Sequence, residues 1–526
     1  MRRAPLALAF AILLGGCQPA THAPAPDGAT HAPFAFDEAS IADLQAKMAA
    51  GHLRSHALTQ AYLDRIAAID KAGPALNAVI ELNSTALQEA DALDAERKAG
   101  KLRGPLHGIP VLLKDNIDAT PMANSAGSLA LAGHHPGGDA FIVARLRAAG
   151  AVILGKTNLS EWANFRSTRS TSGWSGRGGQ TKNPYVLDRN PCGSSAGTGT
   201  AIAANLATAG IGTETDGSII CPSAVAGLVG LKPTVGLVSR SGIIPISISQ
   251  DTAGPMTRNV ADAAALLTVL AAADASDPAA SERKDPTPID YTTHLKAGAL
   301  QGARIGVVRK LMGYQPDTDA AMARAIAAMQ AAGATVVDAQ IPTLGQWDAA
   351  ELEVLLYEFK DGLNRYLAGS NAPYTSLDAL IAYNRQHAAQ EMPYFAQELF
   401  EQANAKGPLT DRAYLAARDK ARRLAGPDGI DAALQAQHLD ALVAPAMSPA
   451  WPTDPVGGDH FLGAGYGPAA VARYPSLTVP MGQVHGLPVG IVFLGAAWSE
   501  PRLIELGYAF EQATRARKPP RFLKSL

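Results

Sequence analysis

The sequence predicts an α/β fold in a single large domain, with a central β-sheet flanked by helices. A helical pattern at 141–150 is followed by an apolar strand pattern at 151–154. Further along, a strand pattern at 305–308, a helical pattern at 319–332 and a strand pattern at 334–337 repeat this alternation. Such alternation is typical of parallel strands joined by crossover helices. The chain has 526 residues, of which 47% are hydrophobic, so it can bury a large core.

The other elements follow from hydrophobic spacing and from turn residues. Helical spacing predicts further helices at 40–50, 55–70, 85–99, 198–209, 260–273 and 501–514. Short apolar runs predict strands at 78–82, before Lys114, and at 225–231, 235–238, 441–444, 476–480 and 488–494. Three more helices, at 350–367, 376–389 and 411–424, predict a helical insertion over about 350–425. No break in composition marks an independent second domain.

The first residues have the pattern of an export signal. Arg2 and Arg3 precede the apolar run 4–14, which is too short to remain as a membrane-spanning helix. The run ends in Leu-Gly-Gly-Cys, which resembles the lipobox of bacterial lipoproteins. Residues 1–16 are therefore predicted to be a lipoprotein-type signal peptide and Cys17 the lipidated residue, the alternative being an ordinary signal peptide cut nearby. The predicted location is the periplasmic side of a membrane, the outer membrane being favoured.

A tether is predicted to follow Cys17. The segment Ala20-Thr21-His22-Ala23-Pro24 recurs at 29–33, and a composition of Pro, Ala and His cannot build a core. Residues 17–36 are therefore interpreted as a spacer that lifts the enzyme domain, residues 37–526, off a membrane. The lipid on Cys17 is the only membrane contact that the sequence predicts.

Charge and motif content limit the partners. The formal net charge is −2. The sequence also has no long lysine or arginine run of the kind that binds nucleic acid. The sequence has no H-E-x-x-H motif, cysteine cluster or phosphate-binding loop, so neither a metal nor another cofactor is expected. The expected partner is a small-molecule or peptide substrate, and the expected state is a monomer.

Two cysteines remain once Cys17 is assigned to the anchor. Cys192 and Cys221 could form a disulfide in an oxidising compartment. Two cysteines are not a disulfide framework, however, and buried free thiols are the favoured interpretation. The pairing stays open at this point.

The stretch 192–236 contains the strongest candidates for chemistry. Ser194 and Ser218 both lie among small residues, and nearby glycines would let a substrate approach backbone N–H groups closely. Lys114 ends an apolar strand, an unusual place for a lysine. The alternatives are two serines in ordinary glycine-rich loops and a lysine that extends from a strand edge into water.

Two other serine motifs compete for the catalytic role. Ser195 is the central serine of a G-x-S-x-G element at 193–197, as in a nucleophile elbow, but the Pro-containing segment before it cannot be a central strand. Ser281 and Lys284 form an S-x-x-K motif, which lies in a polar, Pro-rich stretch. Both interpretations are weaker than a site that joins Lys114, Ser194 and Ser218.

The residues around those three positions resemble the amidase signature family. The shared elements are Gly-Ile-Pro-Val-Leu-Leu before Lys114, the Gly-Ser-Ser-x-Gly element, the spacing to Gly-Ser-Ile, and Gly-Leu-Lys-Pro-Thr at 230–234. They cover a signature core of about 104–264. The resemblance implies a large domain with a mixed sheet, Ser218 as the acylated nucleophile, Ser194 as a bridging serine after a cis peptide bond, and Lys114 as the base. It also implies an oxyanion hole that is formed by backbone N–H groups of Thr215, Asp216, Gly217 and Ser218.

Finer features imply the substrate. Segments 158–165, 172–175 and 215–222 look like the peptide amidase branch of the family, which hydrolyses C-terminal carboxamides of peptides to the acid and ammonia. Many members have Gly in place of Asp216 and Arg in place of Ile220 or Cys221, so uncharged amides are expected here. Residues expected to contact the peptide are Phe165, Ser170, Ser172, Gly173 and Trp174.

Three other functions are compatible with the motifs. A broad-specificity aryl or aliphatic amidase or esterase would use the same catalytic residues. A lipid-anchored binding protein could keep the fold without activity, although it would not need all three catalytic positions. An amidotransferase subunit shares the signature but works in the cytoplasm with RNA and partner subunits, which the export signal opposes.

Overall fold

A computed structural model describes residues 34–283, 285 and 287–526. An eleven-stranded mixed sheet crosses the molecule in the order β1-β3-β2-β6-β8-β7-β12-β13-β11-β9-β10, and β4 and β5 form a separate two-stranded ribbon. The strands are β1 Val79–Leu82, β2 Pro110–Lys114, β3 Val152–Thr157, β4 Trp174–Ser175, β5 Gly179–Gln180, β6 Ala209–Glu214, β7 Val229–Lys232, β8 Thr252–Thr257, β9 Arg304–Val308, β10 Thr335–Ala339, β11 Ala441–Pro445, β12 Ser476–Val484 and β13 Leu487–Leu494. The α/β fold and the single large domain with a mixed sheet are confirmed.

Helices cover both faces of this sheet. They are α1 Ile41–Ala49, α2 Ser55–Arg65, α3 Ala86–Lys98, α4 Phe141–Ala148, α5 Ala196–Ala203, α6 Ile220–Val225, α7 Val260–Leu270, α8 Pro316–Ala331, α9 Asp348–Gly369, α10 Leu377–Gln386, α11 Ala388–Glu391, α12 Glu398–Asn404, α13 Arg412–Ala425, α14 Ala432–Ala436, α15 Gly467–Ala472 and α16 Glu500–Thr514. Every residue of the central strands β2, β3, β6, β7 and β8 is buried. Because both faces are covered, these strands do not alternate between apolar and polar residues, and their few charged residues lie at or near the strand ends.

The strands β3, β2 and β6 run parallel next to one another. Their register pairs Lys114 with Thr157, and Leu113 with Lys156 on one side and with Ile211 on the other. The carboxyl ends of parallel neighbours meet at one edge of a sheet, where ligands commonly bind. This edge carries the end of β2 at Lys114 and the end of β6 at Glu214.

Two sequence predictions near this edge are wrong. The helix predicted at 198–209 ends at Ala203, because Asn205 takes a left-handed conformation with φ 57° that stops the helix. The chain then enters β6, a strand that the many small residues of this stretch had hidden. The strand predicted at 225–231 begins only at Val229, because residues 220–225 form α6.

Helices α9, α10 and α12 contribute to a second hydrophobic cluster. Its members include Phe359, Leu363, Phe400 and Trp162. The predicted signal peptide, the lipidation site at Cys17 and the tether up to residue 33 lie outside the described residues. Within the described part of the chain, no helix is both long and apolar enough to cross a membrane.

Candidate active site

Lys114 lies completely buried at the carboxyl end of β2. Its Nζ donates to the Ser194 hydroxyl at 2.7 Å, to the Thr213 carbonyl at 3.1 Å and to the Thr213 hydroxyl at 2.9 Å. Among the described residues, no carboxylate lies within ion-pair distance of Nζ. The Lys114 amine at the end of β2 therefore faces hydroxyl and carbonyl oxygens. Two of these oxygens belong to Thr213 of β6.

Burial changes the acidity of this amine. Removal from water disfavours the ammonium form and lowers the pKa of Lys114 to about 7, although the negative charges of Asp251 and Glu214 oppose the shift. A large share of the side chain is then neutral near neutral pH. A neutral amine can accept a proton, which an ordinary lysine cannot do at that pH.

Ser194 reaches Lys114 from the loop before α5. The peptide bond between Gly193 and Ser194 is cis, as the family resemblance implies. The Ser194 carbonyl accepts a hydrogen bond from the Ser160 N–H at 3.1 Å. A side chain on residue 193 would overlap the Ser160 hydroxyl, so this close approach requires glycine.

Ser218 lies in the turn between β6 and α6. Its carbonyl accepts from the Ser195 N–H at 3.2 Å, so the two serine-bearing segments are in direct contact. Gly217 has φ 81°, and a Cβ there would overlap the ring of Tyr466. Asp216 is exposed at the open edge of the turn. The turn at 215–218 thus needs glycine for both its conformation and its space.

Glu214 holds the start of α6. Its buried carboxylate accepts the N–H groups of Ile219 at 2.7 Å and Ile220 at 3.0 Å. Burial raises the pKa of Glu214, which Lys232 and the backbone donors partly counteract. These two hydrogen bonds fix the backbone immediately after Ser218.

Asp251 links the turn to the opposite wall of the site. It accepts the Thr215 hydroxyl at 2.6 Å on one oxygen, and the N–H groups of Ile246 at 2.8 Å and Ser247 at 2.9 Å on the other. Burial raises the pKa of its carboxyl to about 6. The charge of Asp251 also raises the pKa of Lys114. Asp251 thus contributes to the site through its hydrogen bonds and through its charge.

A cavity of about 790 Å³ opens beside Ser194. Next to Ser194 it is lined by Thr213, Thr215 and Ala163. Further wall residues are Asn116, Ile243, Ile244, Pro245, Ile246, Ile248, Tyr366 and Tyr414, and arginines Arg240, Arg418, Arg422 and Arg473 line it as well. The volume is in the range of small-molecule and peptide sites. These arginines pair with carboxylates that also line the cavity, Arg240 with Asp277, Arg418 with Asp419, and both Arg422 and Arg473 with Glu282.

The five residues expected to contact the peptide lie elsewhere. None of Phe165, Ser170, Ser172, Gly173 and Trp174 lines the cavity that the described residues form. Trp174 packs against Tyr394 and Phe395, with ring centroids 5.6 and 5.2 Å away, and Phe165 packs against Phe359 at 5.0 Å. The Ser172 hydroxyl donates to Asp459 at 2.5 Å, and the Ser170 hydroxyl donates to the Ser167 carbonyl at 2.9 Å. Their role in substrate contact stays a prediction.

The two rival serine motifs have structural roles. Ser195 precedes α5, and its hydroxyl donates to the Thr213 carbonyl at 3.1 Å instead of facing the cavity. The Ser281 hydroxyl donates to the carbonyl of Pro278 in a short 3₁₀ helix, while Lys284 lies outside the described residues. Within the described residues, the Ser195 hydroxyl meets no base.

The interpretation of Cys192 and Cys221 as free thiols is wrong. The two residues form a disulfide, with Cα atoms 6.0 Å apart. The physical reason is that β6 and α5 fold back on each other, which brings the loop before Ser194 against the first turn of α6. A spacing of 29 residues does not reveal such proximity.

Several site residues were not predicted as such. Thr213 lies inside the stretch 192–236, but it belongs to β6, a strand that the sequence did not predict, so its position beside Lys114 gave no signal. Asp251 and the wall at 243–248 gave no signal, because they come from a separate part of the chain. In the described part of the chain, no group of His, Cys, Asp and Glu has an arrangement that could hold a metal ion.

The sequence is similar to one protein family and to several known proteins. The model of the amidase family matches residues 57–504. A probable amidase of Arabidopsis thaliana is 40% identical over 503 residues, covering 93% of this chain and 93% of that protein. A glutamyl-tRNA(Gln) amidotransferase subunit of Symbiobacterium thermophilum is 34% identical, covering 90% of this chain and 97% of that protein.

Solved structures give a higher similarity. The native peptide amidase of Stenotrophomonas maltophilia is 59% identical with a TM-score of 0.90, covering 93% of this chain and all of that one. A structure of the peptide amidase PAM with the competitive inhibitor chymostatin is 60% identical with a TM-score of 0.92 and the same coverage. An amidase family protein of Bacillus anthracis is 37% identical with a TM-score of 0.83, covering 92% of each chain.

Proposed function

The chain belongs to the amidase signature family and is a hydrolase of amide C–N bonds, and from that premise we propose that it cleaves C-terminal carboxamides of peptides to the acid and ammonia. Ser218 is the nucleophile, Ser194 the bridging group and Lys114 the base. The observation that carries this assignment is the hydrogen bond between the completely buried Lys114 amine and the Ser194 hydroxyl, at 2.7 Å.

Acylation begins with proton transfer. Lys114 in its neutral form accepts the proton of Ser194, which takes the proton of Ser218 as the Ser218 oxygen attacks the amide carbon. A serine hydroxyl needs such a base, because it is a weak nucleophile at its own pKa. The same proton then returns through Ser194 to the leaving nitrogen, so Lys114 acts first as base and then, as an ammonium, as acid.

Ammonia leaves and an ester between Ser218 and the peptide remains. Water then attacks this ester with Lys114 again accepting a proton through Ser194, and the peptide acid is released. Backbone N–H groups of Thr215, Asp216, Gly217 and Ser218 are proposed to stabilise the oxyanion in both steps. A single such donor is commonly worth about 10²- to 10³-fold in rate, and the fixed turn at 215–218 suits this role.

A peptide amide is favoured as substrate for two reasons. The cavity of about 790 Å³ beside Ser194 has space for several residues, and a simple amide would fill little of it. The chain is also 59–60% identical to peptide amidases over their full length.

We also propose that the enzyme works outside the cytoplasm as a lipoprotein. The leader pattern at 1–16 and Cys17 suggest export and lipidation. The Cys192–Cys221 disulfide is compatible with an oxidising compartment. Labelling of the full chain with a radioactive fatty acid, lost in Cys17→Ala, would support this location, and unlabelled intact chain in the soluble fraction would contradict it.

The test of the catalytic assignment uses matched serine variants. Ser218→Ala is expected to lower ammonia release from an amidated peptide by about 10⁴-fold or more, because the acylated oxygen is lost. Ser223→Ala is the control, since Ser223 is also buried, lies in α6 and has a hydroxyl without a hydrogen-bond partner. Near-normal turnover by folded Ser218→Ala would contradict the proposal.

The substrate assignment needs a panel. Amidated peptides, amino acid amides, aryl amides and aryl esters are offered to the wild-type chain, and ammonia or the aryl product is followed. Amidated peptides are expected to give the highest kcat/KM, because only they fill the cavity. A higher kcat/KM for aryl amides or esters would favour a broad-specificity amidase, and binding without any turnover would favour a silent binding protein.

A further inference from the structure

A covalent bond joins the segments that carry the two serines. Cys192 stands two residues before Ser194, and Cys221 stands three residues after Ser218. Both cysteines are buried, with exposed fractions of 6% and 1%. We propose that the Cys192–Cys221 disulfide is a positioning element of the active site, which holds Ser194 against Ser218 and is required for full kcat. This inference rests on the proposed catalytic roles of the two serines.

Each sulfur is closely connected to one serine. The Cys192 N–H donates to Asn190 at 2.7 Å, and only Gly193 separates Cys192 from Ser194. The Cys221 N–H donates to the Gly217 carbonyl at 2.8 Å, which forms the first turn after Ser218. A displacement of either sulfur would therefore move the adjoining serine.

Other connections between the two segments are few. Within the described residues, the hydrogen bond from the Ser195 N–H to the Ser218 carbonyl, at 3.2 Å, is the one that joins 192–195 to 217–221. Ser195 and Thr213 also exchange hydrogen bonds, at 3.1 and 3.3 Å, but these join the Ser194 segment to β6 and not to the turn that carries Ser218. The disulfide therefore supplies a second, covalent connection between the two segments.

Proton transfer between two hydroxyls requires close and constant geometry. A misplacement of about 1 Å can lower a rate by about 100-fold. Neither Cys192 nor Cys221 lines the cavity in which the substrate is proposed to bind. Loss of the bond should consequently lower kcat far more than it changes KM.

The bond also makes activity depend on oxidation. Its formation from two thiols releases two protons and two electrons, and a disulfide oxidant accepts them as it becomes a dithiol. Such oxidants operate in the periplasm and other oxidising compartments, whereas the cytoplasm keeps thiols reduced. A chain that has not left a reducing compartment would have correctly placed substrate walls but a loosely placed pair of serines.

The test compares chains with and without the bond. In a full chain with Cys17→Ala, the sole cysteines are Cys192 and Cys221, so thiols can be counted cleanly. Adding Cys192→Ala and Cys221→Ala is expected to lower kcat by about 10- to 100-fold while KM changes by less than about 3-fold. Circular dichroism checks folding. A kcat within about 2-fold of the parent chain would overturn the inference.

A double-mutant cycle separates positioning from general stability. In a Ser194→Ala background there is no Ser194 hydroxyl to align with Ser218. Removal of both cysteines should then change residual kcat by less than about 2-fold. An equal loss in both backgrounds would overturn the inference, because it would show a general loosening of the fold.

A second preparation covers the case in which the disulfide-free variant does not fold. The Cys17→Ala chain is produced with reduced thiols and then reoxidised, and kcat should rise in proportion to the thiols that disappear. Full kcat in the reduced chain would overturn the inference. Labelling of Ser218 by a fluorophosphonate should follow the same trend. Since labelling needs no peptide, a parent chain that labels but releases no ammonia would refute the peptide substrate and not the role of the disulfide.

Discussion

Two buried lysines on neighbouring strands of the sheet have different partners. Lys114 ends β2, Lys156 lies near the end of β3, and both have an exposed fraction of 0%. Lys156 forms an ion pair with Asp115 at 3.1 Å. Among the residues that the structure describes, the Lys114 amine hydrogen-bonds only to hydroxyl and carbonyl oxygens. The two amines are thus equally buried but differ in their partners, a carboxylate for Lys156 and uncharged oxygens for Lys114.

The strand geometry explains why Asp115 pairs with Lys156 and not with its sequence neighbour Lys114. Successive side chains of a strand point to opposite faces, so Lys114 and Asp115 separate although they are adjacent. Lys156 pairs with Leu113 in register, which places it on the face towards which Asp115 points. The carboxylate next to Lys114 in sequence is thus used to neutralise another lysine, and Lys114 remains free to titrate.

The largest expected effect is on activity at Lys114. Lys114→Met keeps the length of the side chain but removes the base, and amide turnover should fall by about 10⁴-fold. The fold should persist, because the substitution removes a desolvated amine and not an ion pair. Turnover assays and thermal unfolding check this pair of outcomes. A variant with more than about a tenth of wild-type kcat would contradict the role of base.

Lys156→Met is the matched comparison and should mainly affect stability. It leaves the carboxylate of Asp115 buried with Arg177 at 3.3 Å as its remaining cation. Loss of one partner of a buried pair commonly costs about 3–5 kcal/mol in the free energy of unfolding. Chemical denaturation measures this loss. If Lys156→Met instead abolished turnover without loss of stability, the contrast between the two lysines would be false.

The pH dependence of activity should follow Lys114. With a pKa of about 7, the neutral base is lost below that pH, so kcat/KM should fall about tenfold for each further pH unit. The profile of kcat/KM against pH measures this directly. A flat profile between pH 5 and about 8 would contradict it.

Stability should depend on pH above the native pKa of Lys114, in the range up to its unfolded value. The native pKa of Lys114 lies below its unfolded value of 10.5, so the unfolded chain binds more protons between these values. Linkage then requires stability to rise with pH across that window, by about 1.4 kcal/mol per unit for one fully affected group. Subtracting the Lys114→Met curve from the wild-type curve isolates this contribution. A difference that does not vary with pH would contradict the lowered pKa.

The smallest expected effect concerns Asp251. Its charge raises the pKa of Lys114, so Asp251→Asn should move the acid limb of the kcat/KM profile to lower pH by less than about one unit. Some loss of rate accompanies this, since the contacts to Thr215, Ile246 and Ser247 weaken. A shift to higher pH would show that Asp251 does not support the charged form of Lys114.

The sequence was sufficient for the fold class and for the identity of the central residues. An apolar run that ends in Lys114 and two serines among small residues are local signals, and the family resemblance joined them. The cis bond before Ser194 was likewise implied by resemblance. By contrast, β6 was not predicted, because alanine and glycine suit both patterns, and the predicted helix was extended past Asn205, where the real helix has already ended.

Long-range contacts could not be read from the sequence. The pairing of Asp115 with Lys156, the disulfide between Cys192 and Cys221, and the contact of Asp251 with Thr215 each depend on chain segments that meet only in the folded sheet. The cavity wall is a further example, since it draws on residues between 116 and 473. The expected contacts at 165–174 were placed by resemblance alone, and these residues pack away from that cavity.

The most direct test of a neutral Lys114 is its own titration. Carbon-13 or nitrogen-15 labelling of lysine in the full chain, with Lys114→Met to assign the signal, lets NMR follow this amine as pH changes. A midpoint near 7 is the expected result. A midpoint near 10.5, the ordinary value for lysine, would show a permanently charged side chain at neutral pH and would contradict its role as the base.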